Sequence, residues 1–198
     1  MQNLPPFDPQ PVTLEGQVVR LEPLSLAHVP ALLPHAQDED IWRYLPYGLL
    51  NTEERLSAHI EGLLRNQAEG GELPFAVIFR ESGQAVGMTR YMEIRRPHRG
   101  LEIGGTWYGV AYQRTAVNTE CKFLLLKHAF ETLGCIRVQL KTDARNLRSQ
   151  RAIERIGAVR EGLLRQHIIM PDGYLRDTIY YSILDSEWPQ VKQARGWR

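Results

Sequence analysis

Long apolar runs are missing from this 198-residue chain, and no stretch is long enough to span a bilayer as a helix. The opening residues, Met1 to Asp8, form neither a basic nor an apolar segment. No secretory leader is expected there, and the chain reads as cytoplasmic. Cysteine is scarce: Cys121 and Cys135 lack metal-ligand spacing and fit buried thiols in a reducing compartment, with no metal site expected. Net charge is almost absent, +1 from 24 Lys and Arg against 23 Asp and Glu. Without a global field, neither nucleic acid nor an anionic membrane is an expected partner, and any anion site must be local. Gly-x-Gly-x-x-Gly after a first strand is missing, which excludes a Rossmann dinucleotide domain, and without Gly-Lys-Ser/Thr the chain is no P-loop NTPase. No internal repeat divides the chain.

What remains is ordinary globular composition, 43% hydrophobic and 24% charged, in a chain long enough for one sizeable core. Residues 1–11 are proline-rich and read as a flexible lead-in; residues 12–198 read as a single domain. Val12 to Leu21 reads as a first strand with a turn at Gly16, and Ser25 to Ala36 as a helix that Pro30 kinks or delays. Asn51 with Glu54 resembles a capping box opening a helix whose stripe is Leu56, Ile60, Leu63 and Leu64. Pro74 to Arg80 and Ala85 to Ile94 form a hairpin. Leu101 to Val110 is a strand, and an apolar helix follows from Thr119 to a stop at Gly134. Cys135 to Lys141 is strand-like, Asn146 caps a further helix ending at Gly157, and Ala158–Met170 and Thr178–Leu184 close the fold around the turn Pro171-Asp-Gly173. The fold class is α+β, a central and mostly antiparallel sheet with helices on both faces.

The most informative stretch is Tyr112-Gln-Arg-Thr-Ala-Val-Asn-Thr119. A short polar turn between a strand and a strongly apolar helix places free backbone N–H groups, and the positive end of a helix dipole, where a phosphate can sit. It reads as a pyrophosphate cradle and points to a nucleotide-like cofactor.

Strand, polar turn, helix, strand, then Asn146-Leu-Arg-Ser149 opening a helix that ends in Ile156-Gly-Ala158, resembles the GNAT superfamily of acyl-CoA-dependent N-acetyltransferases. The phrases Glu102-Ile-Gly-Gly-Thr-Trp107, Thr142-Asp-Ala-Arg-Asn146, Glu161-Gly162, Arg176-Asp177 and Glu187-Trp188 are similar, in order and spacing, to the ribosomal-protein alanine N-acetyltransferase branch. The resemblance spans roughly residues 12–190. It departs at Ala116, where the family's cofactor loop usually has glycine, and at Ile168, where that branch has an acid. Alanine at 116 is costly if the backbone must take a positive φ and harmless if it is helical.

The resemblance implies transfer of an acetyl group from acetyl-CoA, the co-substrate, to a primary amine, either a protein N-terminus or a small molecule. Backbone from Gln113 through Arg114, Thr115, Ala116 and Val117 to Asn118 is expected to hold the pyrophosphate. Tyr108 and Val110 are expected to pair with the pantetheine arm and Asn146 to face it, with Arg148 and Arg151 within reach of the adenosine phosphate. Ser149 matches the serine that eases out the thiolate, and Glu102 a position of the candidate base, with His167 as the other candidate. The aromatic segment Ile41–Tyr47 falls where family members shape the amine pocket. The Arg95–Gly100 turn either meets an acidic substrate or is a solvated hairpin. The alternatives are a non-catalytic acyl-CoA-binding module of the same fold and a succinyl-CoA-using acyltransferase. Edge-strand pairing in related folds allows a homodimer.

Overall fold

A computed structural model describes residues 7–197. Its elements are β1 (Leu14–Glu15), β2 (Val19–Pro23), α1 (Val29–Leu32), α2 (Glu53–Ala68), β3 (Leu73–Phe79), β4 (Gln84–Arg95), β5 (Gly100–Tyr108), α3 (Ala116–Lys127), β6 (Arg137–Asp143), α4 (Leu147–Arg155), β7 (Val159–Ile169), β8 (Leu175–Leu184) and α5 (Trp188–Ala194). Among the described residues the strands form one sheet in the order β1-β2-β3-β4-β5-β6-β8-β7. Each neighbouring pair is antiparallel except β5 and β6, which are parallel and joined through α3. This is the α+β arrangement expected from the sequence.

Both faces of the sheet are covered, so β3 is apolar throughout rather than alternating. Phe75 and Val77 turn to one face, with Tyr91, Leu101, Ile103 and the buried side of α3. Ala76 and Ile78 turn to the other, with Met88, Trp107 and the α2 residues Leu56, Ile60 and Leu63. Cys121 and Cys135 are free and buried in the first cluster, and burial pushes both thiols up to about 12. Of the lead-in, residues 1–6 lie outside the described residues, while Phe7 is buried beneath the Arg99 guanidinium.

Several boundaries differ from the sequence reading, each for a local reason. The first strand is two, β1 and β2, hairpinned about Gly16. Prolines at 30 and 34 divide the expected helix 25–36 into a 3-10 turn, the single turn α1 and a second 3-10 turn. α2 is capped by Thr52 rather than Asn51, with Thr52 Oγ1 accepting the Arg55 N–H at 3.3 Å. α3 starts at Ala116 rather than Thr119 because Thr115 is its N-cap, and it ends through a π turn, His128–Thr132, before Gly134 at φ 65°. α5 was not expected; Pro189 in its first turn and buried Trp188, whose Nε1 donates to Glu131 Oε1 at 2.9 Å, hold it in place.

One side chain ties α3 to the start of the sheet. The Glu120 carboxylate accepts the backbone N–H groups of Gln17, Val18 and Val19 at 2.9, 2.7 and 2.7 Å. A Cβ at Gly16 would lie 2.5 Å from Glu120 Oε2, so this close approach needs glycine. Hydrogen bonds to a charged acceptor are the stronger kind. Glu120→Ala is therefore expected to lower unfolding free energy by about 2–3 kcal/mol in urea denaturation, with no change in m-value.

Candidate active site

The two parallel strands stay together only briefly. Gly100, Leu101 and Glu102 pair with Arg137, Val138 and Gln139, and beyond that β5 and β6 separate. On its other edge β5 bulges: Met88 pairs with Trp107 and Arg90 with Gly104, so Gly105 and Thr106 together face Thr89. Gly105 takes φ +57°, and a Cβ there would fall 2.5 Å from Arg90 Nη1, so the bulge requires glycine. A cleft of about 890 Å³ opens at the separation.

One end of the cleft lies between the starts of α3 and α4. Gln113, Arg114, Thr115 and Asn118 line it from the α3 side, and Asn146, Arg148, Ser149 and Arg151 from the α4 side. The first-turn amides of a helix have no partner within the helix. One is already committed, since Val117 N–H donates to Thr115 Oγ1 at 3.3 Å. Ala116 is the first residue of α3, and the positive φ of this loop, +60°, belongs to Arg114. Alanine therefore stands where it is harmless. Arg148 Nη1 donates to Gln113 Oε1 at 2.8 Å, which joins the two helix starts. Asn146 Oδ1 accepts the Ser149 N–H at 3.0 Å, as a cap should, and Ser149 is half-buried in the first turn of α4.

Tyr108 ends β5 with its hydroxyl donating to Asn118 Oδ1 at 3.2 Å, and burial raises that hydroxyl well above the usual tyrosine value. Val110 lies past the strand in a 3-10 turn, 54% exposed and outside the cleft lining. Val117 points its side chain into the core.

Between the ends stands Lys122, two turns into α3. It is 7% exposed and donates to Thr106 Oγ1 at 2.6 Å; that hydroxyl in turn shares a hydrogen bond with Thr89 at 2.8 Å. No carboxylate pairs with Lys122 among the described residues. Burial pushes its ammonium down to about 8, and the nearby Cys121 opposes this weakly.

The other end lies on the α1–α2 side of the sheet, under the loop that carries Tyr44, Leu45, Pro46 and Tyr47. The aromatic segment thus meets the cleft, while Trp42 packs below it on Trp107 with ring centroids 5.0 Å apart. Glu102 reaches the cleft 1% exposed: Gln139 Nε2 donates to its Oε2 at 2.7 Å, and Lys141 Nζ stands 3.1 Å from Oε1 as an ion pair without hydrogen-bond geometry. Ile168, Arg90 and Arg176 complete this end. His167 is exposed on β7 outside the lining. Partial desolvation, then the fields of Lys141 and Arg176, push its imidazole below the usual value. The basic turn also lies away from the cleft, with Arg96 bonded to the Gly70 carbonyl and Arg99 to those of Leu133 and Gly134.

Sequence reasoning missed Gln139, Lys141, Arg90 and Lys122. The first two sit two residues apart on one strand face, a polar signal inside an otherwise apolar strand. Their partner Glu102 is distant in sequence and becomes visible only through the β5–β6 register. Among the described residues no group of three or more His, Cys, Asp or Glu side chains is placed to hold a metal, and no helix is long and apolar enough to cross a membrane.

The family described as an acetyltransferase (GNAT) domain matches residues 19–159. The chain is 33% identical to a GCN5-related N-acetyltransferase from Brucella melitensis of known structure, with a TM-score of 0.90 over 98% of this chain and 88% of the other. It is 27% identical to the N-acetyltransferase YnaD of Bacillus subtilis over 80% of this chain and 88% of that one. The fold also matches Mycobacterium smegmatis RimJ in complex with CoA-disulfide, with a TM-score of 0.82 at 21% identity over 95% of this chain and 98% of RimJ.

A buried lysine that titrates low destabilises the fold where it is charged. The unfolded state holds the Lys122 proton up to its ordinary value of 10.5, whereas the native state releases it from about 8. Between those values the unfolded chain binds more protons, so stability rises with pH. Lys122→Met should be more stable than wild type at pH 7, and about 2 kcal/mol of that difference should disappear by pH 9.5. Paired urea melts at the two pH values measure it.

Proposed function

Because the chain belongs to the GNAT acetyltransferase family, we propose that it moves an acetyl group from acetyl-CoA to a primary amine in the cytoplasm, by direct attack. The observation that carries this reading is the separation of β5 from β6 beside the paired starts of α3 and α4. A strand edge without a partner exposes main-chain groups that need hydrogen bonds, and an extended arm with amides supplies them. Two helix starts with Arg114, Arg148 and Arg151 around them suit a diphosphate and a further phosphate. The residues present thus fit coenzyme A, with Gln113–Asn118 and Asn146 at the phosphate end and the β5 main chain up to Tyr108 along the arm.

When bound, acetyl-CoA supplies a thioester that a neutral amine can attack, with a thiolate as the leaving group. Ser149, in the first turn of α4, offers a hydroxyl at the positive end of a helix, where a developing anion is favoured by about 0.3–1 kcal/mol. Glu102 takes the amine proton in this reading. It lines the acceptor end of the cleft, whereas His167 does not. Gln139 and Lys141 fix its carboxylate, so the base meets the amine without reorganising.

Thiol release with acetyl-CoA and a panel of amines tests the reading; acetyl-CoA binding without turnover of any amine would leave a non-catalytic module. Ser149→Ala should lower kcat about a hundredfold with acetyl-CoA affinity unchanged by calorimetry, and full activity would remove its role. Glu102→Gln should abolish the acidic limb of the kcat/KM profile. If that limb persists, the base lies elsewhere.

A further inference from the structure

The acceptor end carries three buried or half-buried cations, and two of them already have carboxylate partners. Arg90 Nε stands 3.1 Å from Glu72 Oε2, and its Nη2 donates to the Tyr47 hydroxyl at 2.9 Å. Lys141 is paired with Glu102. Arg176 differs. It is 4% exposed, its Nη1 donates to the Tyr44 carbonyl at 3.2 Å, and its Nε is buried without a hydrogen-bond partner.

No carboxylate among the described residues forms an ion pair with Arg176. Asp143 and Glu102 both act on its charge, but each is held by other groups. Asp143 Oδ1 accepts the Arg145 backbone N–H at 2.8 Å and Nε at 3.1 Å, and Oδ2 accepts Nη2 at 2.8 Å; Glu102 is held by Gln139 and Lys141. Arg145 is fixed in turn by stacking 3.5 Å over the Tyr174 ring. Asp40 also lines the cleft, but at the exposed mouth. A guanidinium removed from water with a donor left over is costly unless an anion completes it, and its planar fork is matched to carboxylate.

On the reading that this cleft acetylates an amine, we propose that the acceptor is a primary amine that also carries a carboxylate, and that Arg176 binds this carboxylate. The carboxylate belongs either to a free amino acid or to an acidic side chain at the start of a peptide. Polyamines and other polycationic amines are disfavoured, because they bring no anion to Arg176 and add positive charge beside it in a poorly hydrated space.

Matched pairs of acceptors test this with the wild-type protein and acetyl-CoA, reading thiol release. One pair is alanine against alaninamide, and the other is a peptide beginning with Glu against the same peptide beginning with Gln; spermidine is run beside them. The carboxylate member of at least one pair should show kcat/KM about tenfold or more above its amide. For alanine this would hold even though the amide's amine is less basic and more often neutral. Which pair responds identifies the source of the carboxylate. Arg176→Gln should bring the ratio close to one by slowing only the carboxylate member, and Arg176→Lys should retain part of it. Equal use of both members in both pairs, or preference for spermidine, overturns the inference and leaves the transferase reading standing. An equal loss on both members in Arg176→Gln reduces Arg176 to a prop for the Tyr44 loop and overturns it as well. Bound acetyl-CoA without thiol release from any amine removes the transferase reading, and this inference with it.

Discussion

The parting of β5 and β6 is the constraint on which the site depends. A parallel pair in the middle of a sheet would ordinarily continue to hydrogen-bond, because unpaired main-chain groups inside a protein are costly. Here the pairing ends after Glu102 and Gln139. Several features hold the strands apart. The bulge at Gly105 and Thr106 re-aims β5, and Arg90, fixed by Glu72 and Tyr47, occupies the space that a side chain at 105 would need. On the far side, β6 is held along its length by β8, from Arg137 opposite Leu184 to Asp143 opposite Thr178.

The same separation sorts the chemistry by face. Alternate residues of a strand point to opposite sides, so the α3–α4 face receives Tyr108 and the helix starts, and the α1–α2 face receives Glu102 beside Gln139 and Lys141. A phosphate-bearing ligand and an amine can therefore approach from opposite sides and meet only where the sheet is open. Glu102 lies on the last residue pair before the gap, which places the carboxylate as near the opening as the pairing permits.

How far this was legible in the sequence depends on the range of the interactions involved. The polar turn before α3, the cap at Asn146 and the stripe of α2 are set within a few residues, and the pattern showed them. The onset of α3 was misplaced because Ala116-Val-Asn118 can be read as loop or helix, and the Thr115 side chain decides for helix. Val110 was expected on the strand, but β5 ends at Tyr108, where the Gly109 N–H turns to the Val86 carbonyl at 2.9 Å. α5 depends on Trp188 finding Glu131, 57 residues earlier, which no local pattern shows. The surroundings of Glu102 were hidden for the same reason. A glutamate in a strand looks like a surface residue until register places Gln139 and Lys141 beside it.

Three residues that break local rules meet in the cleft. Arg114 adopts a left-handed backbone, Lys122 is buried without a carboxylate, and Arg176 is buried with an unused donor; all three line one cleft. Each lowers the stability of the isolated fold. A sequence shaped only for stability would replace the lysine and the arginine with apolar side chains of similar volume. What offsets them is elsewhere, in the two closed hydrophobic layers and in tethers such as Glu120 on β1–β2. Strain and unmet polarity meeting in one opening is what a binding site looks like in energetic terms. On the proposed reading, a phosphate at the α3 start and a carboxylate at Arg176 would relieve part of these costs.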